Sequence, residues 1–102
     1  MKANSIVTAV LLNGAEIVGR FVEENEDTII IYKPRLVSPQ QQGLAFVPGI
    51  SMTGVEPNGD FQFAKHSVLY VIETQEQIAS SWQKVTSGIE MPTGADMQGL
   101  VK

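Results

Sequence analysis

The sequence predicts a mainly β domain: a small, strongly bent five-stranded antiparallel barrel followed by one carboxy-terminal α-helix. Three observations carry this. Short apolar runs rich in β-branched residues recur between turn signals, an Asn13-Gly14 pair joins the first two of them, and only the segment after Thr74 repeats with a helical period. At 102 residues and 43% hydrophobic, the chain has material for one core and not for two.

The elements follow in order. Ile6 to Leu12 is apolar with Thr8 interrupting, Asn13-Gly14 is a strong hairpin signal, and Glu16 to Val22 resumes alternation, which reads as strand, turn, strand. Counting by twos, Ile17, Gly19 and Phe21 share a face, so Gly19 stands where a core side chain belongs. A glycine there marks a bulge, a bend or a close backbone approach, as a sheet curling into a small barrel requires. "EENEDT" is a solvated acidic loop, and "IIIYK", Ile29 to Lys33, is a third strand closed by Pro34. From about residue 34 to 60 the chain reads as a long loop, with "LAFVPGISM" as an extended fourth-strand region inside it. In "DFQFAKHSVLYVIE", Phe61 and Phe63 alternate with Gln62, while Val68 to Ile72 is apolar on both faces. One face of that strand fills the core, and the other, or its free edge, calls for a partner or a docked helix. The predicted core is Val7, Ala9, Leu11, Ile17, Phe21, Ile30, Val68 and Val71.

The barrel thus occupies residues 1–73. Thr74 with Gln77 fits a capping box, and Ile78, Trp82 and Val85 form one stripe before Gly88, so residues 74–88 read as a helix that must dock to persist. Residues 89–102 lack periodicity and read as a flexible tail.

Composition narrows function. With no cysteine there are no disulfides or thiolate metal sites, and no apolar stretch has the length of a membrane span, so a cytoplasmic protein without a membrane partner is expected. The net charge of −4, from seven basic and eleven acidic residues, gives no general attraction for nucleic acid, so phosphate binding must be local. One histidine, no phosphate loop and no metalloprotease or hydrolase motif argue against an enzyme, and no cofactor or metal is expected. The four acids of Glu23 to Asp27 read as a solvated face.

The first half resembles the opening motif of the Sm-like family, the LSm proteins and bacterial Hfq. Val7, Ala9, Leu11, Asn13, Gly14, Ile17, Gly19 and Phe21 fill its places in order. The resemblance covers Ile6 to Tyr32 and, more faintly, Phe63 to Ile72. It implies a five-stranded Sm-like (SH3-like) barrel bent at Gly19, assembled by strand edges into a homo-oligomeric ring of about five to seven subunits. "AKHSVLYV" is similar to the bacterial branch, in which a Lys-His pair lines the pore and contacts uridine-rich RNA, and Lys65 and His66 stand there. The sequence departs from the family in the loop after the second strand. Asp27 falls at the base-stacking place, Ile29 at the asparagine place, and Asn25 where an aspartate usually sits. An aspartate cannot stack on a base and repels its phosphate.

A ring would repeat Lys65 around its axis and make a local positive site on an acidic particle, which Lys33 and Arg35 in "YKPR" would widen. The candidate nucleic-acid contacts are therefore Lys65, His66, Asn25, Asp27, Lys33 and Arg35. Tyr32 and Tyr70 offer stacking faces or interface packing. Two readings follow: a ring binding single-stranded RNA, or single-stranded DNA, in RNA processing or regulation; and a structural or protein-interaction ring that has lost the uridine pocket.

Overall fold

The computed structural model describes residues 2–41, 43–51 and 53–87. Six antiparallel strands form one sheet: β1 (Ile6–Leu11), β2 (Glu16–Glu24), β3 (Thr28–Gln40), β4 (Gly43–Phe46), β5 (Asp60–Ala64) and β6 (Val68–Glu73). A 3-10 turn, Lys65–Ser67, separates β5 from β6, and the helix α1 (Glu76–Ser87) follows. The sheet runs β4-β3-β2-β1-β6, with β5 lying along the first half of β3. No helix among the described residues is long and apolar enough to cross a membrane.

The β1–β2 hairpin closes as the Asn-Gly pair predicts. Gly14 donates its N–H to the Leu11 carbonyl at 2.9 Å and has φ 89°, a left-handed value that favours glycine. Asn13 Oδ1 accepts the Ala15 N–H at 2.9 Å.

The strand count is six instead of five because the 3-10 turn at Lys65–Ser67 divides the expected last strand into β5 and β6, and β3 is longer than expected because it does not stop at Pro34. Val18 pairs with Arg35 and Arg20 with Tyr32, so two steps along β2 face three along β3 and the surplus bulges out at Lys33-Pro34. Proline has no N–H to give a ladder, but at a bulge none is required. Lys33 takes φ 48° there and sends its N–H to the Gly59 carbonyl at 2.8 Å. Gly19 lies opposite the bulge. A Cβ on it would run into the Ile31 side chain, the Tyr32 carbonyl oxygen at 2.9 Å and Pro34 Cα at 3.2 Å. The reason for that glycine is a close approach of two backbones. Beyond Pro34, β3 continues into a hairpin with β4, so the expected loop of residues 34–60 is in part paired strand.

The core consists of Val7, Ala9, Ile17, Phe21, Ile29, Ile31 and Phe63, with Leu11, Val68 and Val71 packed against it. Ile30, expected inside, is only half-buried, and Ile29 and Ile31 point inward in its place. Ile31 lies opposite the buried Phe21, and the period of two along β3 puts Ile29 on the same face.

Helix α1 packs near β2, at the bulge. Trp82 is fully buried and donates its indole N–H to the Lys33 carbonyl at 3.0 Å, while the Arg20 guanidinium lies over both the Tyr32 and Trp82 rings. The Lys33 ammonium reaches the Thr86 carbonyl at 3.1 Å, a cation at the end of the helix where its dipole is negative. The capping box is not used: α1 starts at Glu76, and the Thr74 hydroxyl is bonded to that of Thr8 at 2.8 Å. Nor does the helix cover β6, where Leu69, Tyr70 and Ile72 stay more than half exposed. The expectations of Gly88 as helix stop and of a flexible tail at 89–102 lie outside the described residues.

Candidate nucleic-acid interface

Four of the six sequence-selected residues come together at one end of the sheet. The β2–β3 connection is a tight turn held by Asn25, whose Oδ1 accepts the Asp27 N–H at 2.8 Å, the Thr28 N–H at 3.0 Å and the Thr28 hydroxyl at 3.2 Å. Such side-chain caps are the habit of asparagine in turns. The Asn25 carbonyl oxygen is thereby committed to the fold. The Asp27 carbonyl accepts the Lys65 N–H at 2.8 Å, which ties the turn to the 3-10 segment. At the other end of that segment, Ser67 donates its hydroxyl to the Ala64 carbonyl at 2.7 Å and accepts the Leu12 N–H on its own carbonyl at 3.1 Å. Lys65 and His66 are held on a turn fixed at both ends.

The side chains there differ in what they can still do. His66 and Asp27 are exposed. The Lys65 ammonium pairs with Glu24 at 3.2 Å, with both side chains about two-fifths exposed. A salt bridge so open to water is weak and yields readily to a competing anion. Beside it lies an open cleft of about 310 Å3. Phe21, Ile29, Val68 and Val71 line its apolar part, and Glu24, Lys65 and Tyr70 complete it. Ile29, at the family's asparagine place, is a buried core residue there and has no polar group to offer a base.

Lys33 and Arg35 do not join this cluster. Lys33 is engaged with the end of α1, and Arg35 forms a 2.6 Å ion pair with Glu56 in a mostly buried setting that anchors the segment after β4. Both basic side chains are occupied in holding the fold. The pairing of Glu24 with Lys65 was not legible from spacing, because it depends on β5 returning along β3 and setting the turn beside the end of β2. Tyr70 carried a signal, an aromatic in a strand apolar on both faces. Among the described residues no group of three or more His, Asp or Glu is placed to hold a metal ion.

No protein-family model matches the chain, and no curated protein matches it significantly. What the fold and this cluster define is a small β-rich domain with one docked helix and a rigid Lys-His turn beside an open cleft.

Proposed function

We propose that the chain is a divergent Sm-like subunit that assembles into a homo-oligomeric ring and binds single-stranded nucleic acid, RNA foremost, without chemistry of its own. The observation that carries the reading is the β5–turn–β6 junction. It presents Lys65 and His66 together on a fixed turn, between two strands that each have one edge unpaired among the described residues. Unpaired edges favour strand addition, and a head-to-tail contact between two different edges closes into a ring when the rotation permits. The sheet order supports the reading too, since β6 crosses to β1 while β5 stays on β3, as a five-stranded bent barrel extended by the β3–β4 hairpin would have it. Copies of Lys65 around an axis would supply the local positive charge that the acidic chain lacks.

A second reading is favoured by two observations: Lys65 already has Glu24 as partner, and Leu69, Tyr70 and Ile72 leave an apolar strip on β6. On that reading the ring is a structural or protein-binding scaffold. Titration of fluorescent oligo-U, oligo-A and single-stranded DNA at two salt concentrations, with the particle mass from light scattering, separates the two. The nucleic-acid reading expects a multimer whose binding weakens with salt and in Lys65→Ala. A multimer that binds none of the three polymers moves the assignment to the scaffold, and a monomer removes the ring from both.

A further inference from the structure

We infer that the cleft beside Lys65 takes a nucleobase and favours guanine through the Glu24 carboxylate. The inference rests on the nucleic-acid reading above and adds which base is read. The cleft joins an apolar wall, in which Val68 and Val71 give the accessible surface over the buried Phe21 and Ile29, to an exposed aromatic ring, Tyr70, and one adjacent pair of opposite charges. A flat heterocycle uses all three. Its faces take the apolar wall and the tyrosine ring, and its polar edge meets the charges.

The chemistry of that edge selects the base. Lys65 only donates, and an ionised Glu24 only accepts. Guanine sets a carbonyl oxygen, O6, directly beside two adjacent donors, N1–H and the exocyclic amine. O6 accepts from the Lys65 ammonium, and the two donors engage both oxygens of the carboxylate, a bidentate charge-assisted arrangement. Uracil, adenine and cytosine each bring a single donor to the same edge, so one of the two charge-assisted bonds is lost, and because Glu24 is open to water the discrimination is the modest amount one such bond contributes. The existing ion pair is no obstacle. At 3.2 Å it holds the two groups side by side, and with side chains 39% and 44% exposed it contributes little that the base edge would not replace. The stacking residue that Asp27 cannot provide is thus supplied from β6, and the specificity departs from uridine because Glu24 stands beside the lysine.

The test uses short RNAs identical except at one central position, which holds guanine, inosine, adenine, cytosine or uracil in a uridine context, titrated by fluorescence anisotropy against the full chain and against Glu24→Gln. The guanine RNA is expected to bind about ten-fold tighter than the all-uridine one. Inosine, which lacks the exocyclic amine, should lose most of that gain. Glu24→Gln should erase the preference while all five RNAs still bind, since Lys65 is retained, and circular dichroism should show the variant folded because Glu24 is exposed at a strand end. Equal binding of the five RNAs to the parent chain overturns the guanine assignment and leaves the nucleic-acid reading in place. Binding of none overturns both.

Discussion

Gly19→Ala isolates the close approach of β2 to the bulge in β3. Gly19 does not occupy the left-handed region, so alanine adopts its conformation freely and the sole difference is one methyl group. That methyl would have to share space with the Ile31 side chain and with two backbone atoms, the Tyr32 oxygen at 2.9 Å and Pro34 Cα at 3.2 Å. A side chain can rotate away, but the backbone of a bulge pinned by Lys33 to Gly59 cannot do so cheaply. Overpacking of this kind costs about 1–3 kcal/mol, against about 0.4–1 kcal/mol that alanine returns by stiffening the unfolded chain. The expected net is about 1 kcal/mol of destabilisation, which for a domain near 100 residues lowers the melting temperature by about 5 °C. Gly59→Ala is the matched control. Its Cβ would meet nothing within 4 Å, so it should be neutral or slightly stabilising. Thermal melts followed by far-ultraviolet circular dichroism measure both. A Gly19→Ala protein as stable as the parent would refute the close approach, and with it the account of how β2 packs against the bulge of β3.

Trp82→Ala should cost about 3–5 kcal/mol, since it empties a fully buried site and leaves the Lys33 carbonyl without its donor. Chemical denaturation gives the value, and a loss below about 1 kcal/mol would mean that α1 is not docked in solution. Asn25→Ala removes the acceptor of three turn bonds and should lower stability by about 1 kcal/mol while leaving oligonucleotide affinity unchanged. A fall in affinity with no fall in stability would return Asn25 to the binding residues.

The hairpin, the helix stripe and most of the core were legible because each depends on neighbours in sequence. Val7, Ala9, Ile17 and Phe21 lie inside, as the period of two requires, and Trp82 faces the sheet, as the helical period requires. The clearest error falls at the bulge between β2 and β3. Pro34 reads as a stop until a bulge opposite Gly19 makes its missing N–H harmless, and Ile30 reads as core although only the pairing of Ile31 with Phe21 shows which of three consecutive isoleucines point inward. A bulge is a relation between two strands, and neither strand carries it alone. The same holds at the site. Lys65 and His66 were visible as a dipeptide, whereas Glu24 became part of the site only through the pairing of β5 with β3.

The fold's use of its own cations decides how nucleic acid could be bound at all. Of seven lysines and arginines, Arg20 lies over Tyr32 and Trp82, Lys33 is spent on α1, and Arg35 is spent on Glu56. Among the described residues, one subunit therefore offers Lys65 at the candidate interface and little else to a phosphate. Affinity for single-stranded nucleic acid falls with salt in proportion to the phosphates neutralised, with a logarithmic slope of about −0.7 for each. A lone subunit would show a slope of about −0.7, whereas five to seven lysines acting together around one axis would approach about −3.5 to −5. The slope therefore counts the lysines that share a strand. A steep value that collapses in Lys65→Ala requires the repeated site of a ring, and a shallow one would mean that Lys65, held by Glu24 or by a base edge, neutralises no phosphate at this turn.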